Sequence, residues 1–267
     1  MKKILLFLAM SGTAAYSQNI QLQWSTDSTL LTPESVLATS KVLYVSQVDG
    51  AGWDADGKGG IALVDHQGKI LNRDWVTGLH APKGMAIIGN ILYVADLKDL
   101  VSIELSTGKV LKRLNIEEAK GLNDVSADPS GTLYISDTAG GKIWKVKNDK
   151  AEVLLENMKD ANGVKWHKNA LYITANNAFL AYNPSTKDVK KICELEKGGD
   201  GIEPYKDGFF VTSWLGYLYH VDKNGKRVTL RETHQTNKFK TADIGLLKDI
   251  LYIPTFFGNT VEAWKIK

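Results

Sequence analysis

The chain has 267 residues, with 33 Lys and Arg against 30 Asp and Glu and a net charge of +3. Such a balance predicts neither a nucleic-acid partner nor an anionic membrane surface. The single Cys193 excludes an intramolecular disulfide. It stands in the alternating run Lys191-Ile192-Cys193-Glu194-Leu195 and reads as a small buried hydrophobe rather than a nucleophile.

The chain opens with Lys2-Lys3, the apolar run Ile4 to Met10, and the small-x-small pattern Ala15-Tyr16-Ser17. This is the order of a secretory signal peptide over residues 1–17. The apolar run is too short to span a bilayer, which takes about 20 residues. The expectation is an exported chain, periplasmic or secreted, without membrane insertion. Residues 18–267 then form one domain.

Along that domain the motif Leu-Tyr-Val/Ile recurs: Leu43-Tyr44-Val45, Leu92-Tyr93-Val94, Leu133-Tyr134-Ile135, Leu171-Tyr172-Ile173 and Leu251-Tyr252-Ile253, with Phe209-Phe210-Val211 as a degenerate copy. The central residues stand 49, 41, 38, 38 and 42 positions apart. A period near 40 built of strand-like segments indicates propeller blades of four strands. Turn residues such as Gly89-Asn90, Lys168-Asn169 and Asp207-Gly208 precede each motif, as expected between strands A and B of a blade. A second turn family, from His66-Gln67-Gly68 to Lys223-Asn224-Gly225, occurs five times and joins strands C and D. The sixth blade ends at strand C, Val261 to Ile266, so the alternating segment Ile20 to Trp24 is expected to supply its outer strand. The predicted fold is all-β: a six-bladed propeller of four antiparallel strands per blade, closed by the N-terminal strand.

In propellers the starts of the A strands line one mouth of the central channel. Counting back from each central aromatic gives Glu34, Lys83, Asn123, Asn162, Asp200 and Ala242, with Asp243 one step on. Five of the six are polar where apolar strands begin. Two carboxylates with amide oxygens make a hard-oxygen site suited to Ca²⁺ or Mg²⁺, or to Zn²⁺ or Mn²⁺. The competing reading is that Asn162-Gly163 and Asp200-Gly201 simply make turns.

Pro33-Glu34-Ser35-Val36, Leu122-Asn123-Asp124-Val125, Ala161-Asn162-Gly163-Val164 and Gly199-Asp200-Gly201-Ile202 resemble motifs of the senescence marker protein, gluconolactonase and luciferin-regenerating enzyme family. The resemblance implies a six-bladed propeller with one divalent cation in its channel. It assigns Glu34, Asn162 and Asp200 as metal ligands and sets Asn123 beside metal and substrate. Three positions depart from the family pattern. Its Glu-Gly-Pro is Glu34-Ser35-Val36 here, Gly121 stands where a substrate-binding Arg is common, and Lys83 places a cation among the ligands.

The expected activity is hydrolysis of a lactone or related ester by a monomer, with Asp200 as general base and Lys83 steadying the oxyanion or balancing the carboxylates. Asn123 and Lys83 would contact the substrate. Trp214, Phe256 and Phe257 fall on B-to-C loops of the same face, where they form either a pocket wall with Trp214 against the substrate or ordinary packing between blades. The long loop Asp49 to Gly60 reads as a lid over the mouth; its Asp54-Ala55-Asp56-Gly57 lacks the remaining ligands of a calcium loop. The five His residues are scattered without ligand spacing and read as polar surface. The alternative function is a non-catalytic propeller that uses the same mouth to hold a small molecule, a glycan or a protein partner.

Overall fold

A computed structural model describes residues 19–236 and 240–267. The expected export segment, residues 1–17, lies outside the described residues. Among those described, no helix is long and apolar enough to cross a membrane.

The chain forms six four-stranded antiparallel sheets. The first five blades follow chain order: β2 to β5 (Pro33–Ala38, Leu43–Gln47, Gly59–Val64, Ile70–Leu79), β6 to β9 (Pro82–Ile88, Ile91–Asp96, Asp99–Glu104, Val110–Asn115), β10 to β13 (Leu122–Ala127, Leu133–Asp137, Lys142–Lys147, Lys150–Leu155), β14 to β17 (Val164–His167, Ala170–Ala175, Ala178–Tyr182, Val189–Glu194) and β18 to β21 (Ile202–Tyr205, Gly208–Ser213, Tyr217–Val221, Arg227–Glu232). The sixth combines β22 (Gly245–Leu247), β23 (Ile250–Pro254) and β24 (Val261–Ile266) with β1 (Ile20–Ser25) from the other end of the chain.

Each Leu-Tyr-Val motif is a second strand, flanked on both sides and nearly all buried; Leu43, Val45, Leu92, Val94, Leu171 and Ile173 have no exposed surface. This burial on both faces is why the motif is continuously apolar while the outer strands, such as β9 and β17, alternate or run polar. Among the described residues the apolar side chains gather in six clusters, one at each junction between neighbouring blades, with a small seventh of Val48, Ala81, Ala242 and Phe256. The core is therefore a ring of interfaces, and each blade is stable only between two others.

That dependence makes closure a structural requirement. On the inside, Asp243 N donates to Glu34 O (3.0 Å) and Val36 N to Asp243 O (3.2 Å), which joins the first and sixth blades directly. On the outside, β1 pairs with β24, Ile20 opposite Ile266 and Leu22 opposite Trp264. A bulge falls between Leu22 and Trp24, so the simple alternation expected of this strand is broken. Leu22 is 46% exposed rather than packed inward. The bulge turns Trp24 onto the first blade, where its Nε1 donates to His66 O (3.0 Å) and its ring lies against Gly68, leaving no room there for a Cβ. Its other neighbour is Tyr252 of the sixth blade, 5.9 Å between ring centroids. One indole thus spans the seam.

Deleting residues 18–25 removes both the last ladder and this indole. The truncated chain is expected to melt roughly 10 °C or more below the full chain and to aggregate through the bared edge of β24. Thermal denaturation with light scattering measures both; a monomer melting at the full-length temperature would contradict the seam as described.

Candidate functional site

The positions selected by the repeat come together. Glu34, Lys83, Asn123, Asn162 and Asp200 all line one cavity of about 470 Å³ at the mouth of the channel, with Trp53, Thr138, Trp214, Phe256 and Phe257 among its walls. Ala242, the sixth equivalent, is fully buried. Asp243 lies deeper, its Oδ2 accepting from Ser35 Oγ at 2.5 Å.

Two local devices hold these residues. The first is a hydroxyl two positions after the central aromatic. Thr174 Oγ1 accepts from Gly163 N (2.8 Å) and Thr212 Oγ1 from Gly201 N (2.8 Å), while Ser46 and Ser136 take Ser35 N and Asp124 N. Thr174 and Thr212 also donate onward to Asp200 O and Ala242 O in the next blade. Sequence reasoning passed over these hydroxyls, although their fixed offset from the Leu-Tyr-Val motif was a signal.

The second device is the glycine that follows three of the ring residues, Lys83, Asn162 and Asp200. Gly163 and Gly201 do not have the positive φ of tight-turn glycines, so the turn reading fails. They are required for close approach. A Cβ on Gly163 would fall 1.9 Å from Asp200 O, and one on Gly201 would fall 2.4 Å from Asp243 Oδ1. Gly84 meets Asp124 in the same way. Inner strands that taper to a common axis leave space for backbone only.

The polar atoms at the mouth are under-satisfied. Among the described residues, the buried side-chain atoms without a hydrogen-bond partner are Glu34 Oε2, Asn162 Oδ1, both carboxylate oxygens of Asp200 and His66 Nε2. Leaving a buried acceptor unpaired costs about 1–3 kcal/mol, and native structures do so rarely. Four such oxygens on three residues of one cavity match the oxygen set that a hard divalent cation takes. Their electrostatics agree. Burial pushes the Glu34 carboxyl up to about 8, opposed by Lys83 and aided by Asp243. Asp200 is held well above the usual carboxylate range, first by burial and then by Glu34, Asp243 and Asp124. The site carries more buried negative charge than its own cation, Lys83, offsets.

Lys83 itself is committed. Its Nζ donates to Gly52 O (2.7 Å) and lies 4.3 Å from the centroid of the Trp53 ring. Burial pushes its ammonium pKa down, against the pull of Glu34, Asp96 and Asp200. Asn123 Nδ2 donates to Thr138 Oγ1 (3.0 Å), which in turn donates to Ala161 O (2.6 Å). The loop between β3 and β4 folds over the mouth, as a lid would. His80 Nδ1 accepts from Gly57 N (3.1 Å), so this histidine anchors the loop rather than serving as polar surface. Asp56 binds Lys58 through both side chain and backbone. The loop also explains Gly121: a Cβ there would lie 2.8 Å from the Trp53 ring. The indole fills the room that a larger residue at 121 would need.

Below the mouth, Asp124, Asp243, Lys165 and Glu203 continue the channel, with Lys165 and Glu203 paired at 2.7 Å. Sequence reasoning named Asp124 and Asp243 only in passing and missed Lys165 and Glu203. Cys193 is half-buried and its thiol is pushed up by burial, which suits the packing role.

No protein-family model matches the chain, and no curated protein matches it. Solved structures do. A streptogramin B lyase superposes with a TM-score of 0.68 at 10% identity, covering 94% of this chain and 98% of that one. A catalytically inactive virginiamycin B lyase from Staphylococcus aureus, solved with quinupristin, gives 0.64 at 11% identity over 93% and 99%. A structure described as "the putative gluconolactonase in protein family" gives 0.69 at 13% identity over 94% and 92%. The six-bladed propeller expected from the repeat is therefore the fold of this chain. At these identities the likeness concerns the fold, and the chemistry rests on the residues described above.

Gly163→Ala should destabilise the protein by about 1–3 kcal/mol through overpacking, whereas Gly52→Ala, with nothing within 4 Å of its Cβ, should leave stability unchanged. Urea unfolding of the two variants decides the point; equal midpoints would refute the close-approach role.

Proposed function

We propose that the protein is a metal-dependent hydrolase of a lactone or related ester. The observation that carries this reading is the group of four buried, unpartnered oxygens on Glu34, Asn162 and Asp200 in one small-molecule cavity. A cavity of this size is in the range that accommodates small ligands. These three residues would hold one divalent cation, with Ca²⁺ the first choice for an all-oxygen set and Mg²⁺, Zn²⁺ or Mn²⁺ as alternatives. When bound, such a cation supplies Lewis-acid polarisation of a carbonyl and lowers the pKa of water.

The chain's own residues supply the rest. Asp200 has two free oxygens, so it can act as a ligand with one and accept the proton of the attacking water with the other. Asn123 has its amide nitrogen fixed by Thr138 and offers its oxygen to orient substrate or water. Lys83 lies in the same cavity and can steady negative charge on the former carbonyl oxygen. Water adds to the acyl carbon, the ester C–O bond breaks, and the departing alkoxide takes up a proton. No histidine is among the described residues lining the cavity, so proton transfer there falls to its carboxylates or to Lys83. The remodelled wall at Gly121 and Trp53 also favours a second reading, a propeller that binds its ligand without turnover.

Calorimetric titration with CaCl₂ should give one tight site per chain. Glu34→Gln and Asp200→Asn should each weaken it by about a hundredfold, and Asp200→Asn should abolish ester and lactone turnover. A chain that takes up none of the four cations would exclude the mechanism.

The raised carboxyls give a pH dependence whose sign can be fixed. In the metal-free protein Glu34 titrates near 8 against 4.5 for the ordinary group. The folded state then binds more protons than the unfolded state between these values. Its contribution to stability is present below about 4.5 and is lost as pH rises through about 8. Metal binding must expel that proton, so calcium affinity should climb from pH 6 to pH 8. In Glu34→Gln the slope of melting temperature against pH should be shallower; an unchanged slope would contradict the assignment.

A further inference from the structure

Resting on the hydrolase reading, we infer that the substrate is an ester or lactone carrying an apolar aryl or acyl group, recognised by an aromatic wall of which Trp53 is the specificity-determining member. A polyhydroxylated sugar lactone is not its match.

The first argument is an account of hydrogen-bonding capacity. The polar side chains of the cavity are few. Glu34, Asn162 and Asp200 face the cation position. Lys83 donates to Gly52 O and, at 3.5 Å, to Ala81 O, and Asn123 donates its amide to Thr138, which leaves one lysine N–H and Asn123 Oδ1 for a ligand. A ligand rich in hydroxyls would leave water and find fewer side-chain partners than it has hydroxyls, and each unpaired group would oppose binding. The polar groups suffice for one reacting carbonyl and little more.

The second argument is the wall itself. Trp214, Phe256 and Phe257 form a mutually edge-on aromatic cluster, with ring centroids 4.8–6.0 Å apart. Trp53 joins them in lining the cavity. All but Phe256 keep substantial exposure: Trp53 46%, Trp214 37% and Phe257 50%. Large aromatic side chains left open around a cavity are the expected means of taking up an apolar ligand. Both indoles are also fixed in place by a cation, Lys83 over Trp53 at 4.3 Å and Lys240 over Trp214 at 4.7 Å.

The third argument ties Trp53 to the site rather than to packing. Its ring abuts Gly121, two residues before Asn123, and any side chain at 121 would collide with it. The lid loop delivers an apolar surface to a place where the inner strand supplies none. That loop is held to the ring of site residues by the Lys83 contact with Gly52 O, so recognition by Trp53 is coupled to the same lysine that lines the cavity.

The test uses the full, calcium-loaded chain and two pairs of probes. Phenyl hexanoate and glucono-δ-lactone read turnover; N-phenylhexanamide and gluconolactam, which resist hydrolysis, read binding by calorimetry. The wild-type chain should prefer the phenyl compound of each pair by about tenfold or more. Trp53→Ala should lose most of that preference while leaving gluconolactam binding and calcium affinity unchanged. Trp53→Phe, which keeps an aromatic face, should retain most of it, and guards against a loop that has merely collapsed. Equal binding of the two amides, or an equal loss for both in Trp53→Ala, overturns the inference even if esters are hydrolysed. Tight and selective binding of the anilide without turnover of either ester or lactone upholds it and instead removes the hydrolase reading.

Discussion

The structure depends on how closely six inner strands can approach one axis. Where they converge, three of the six positions that follow the ring residues have no room for a Cβ. Gly84, Gly163 and Gly201 meet that limit, each against a neighbouring backbone or carboxylate. Because they do, the residues just before them, Lys83, Asn162 and Asp200, reach the same small volume. The hydroxyls of Thr174 and Thr212 then lock the strand starts by taking amide protons within the blade and donating to the carbonyl of the next. The convergence of functional groups is a consequence of tapering geometry rather than of any single strong contact.

Convergence has an electrostatic cost. Glu34 and Asp200 are buried near each other and near Asp124 and Asp243. Burial alone raises such carboxyls, and each additional negative neighbour raises them further. The channel handles its two layers differently. In the deeper layer the acids are satisfied internally: Asp124 accepts from Val125 N and Val164 N, Asp243 from Ser35, and Glu203 from Lys165. At the mouth the acceptors are left open. A fold that pairs its buried acids in one layer and leaves them bare in the next stores instability where a ligand can relieve it.

The mouth is completed by a segment outside the repeat. The loop between β3 and β4 brings Trp53 against Gly121 and Gly52 O against Lys83. Its contribution is apolar surface over a polar floor. Variation in one such loop could change what enters without disturbing the residues below it.

Some of this was legible in the sequence by itself. A period near 40, a doubly buried strand repeated six times and a missing outer strand are local patterns, because burial on both faces demands continuous apolar residues and a repeat must reproduce them. Register followed from the same repeat, so Glu34, Lys83, Asn123, Asn162 and Asp200 could be selected by counting and do share a cavity. Only the tertiary structure decided the rest. That Asn162-Gly163 and Asp200-Gly201 are sites of close approach and not turns depends on the adjacent blade. That Leu22 faces solvent depends on a bulge where β1 meets β24. The pairing of Trp53 with Gly121 joins residues of different blades whose relation has no periodic signature, whereas Lys165 and Glu203 occupy equivalent positions of neighbouring blades and only the structure shows that they pair. Periodicity records which face of a strand is buried; it does not record which atoms of another blade lie against that face, and the open oxygens at the mouth are defined by the partners they lack.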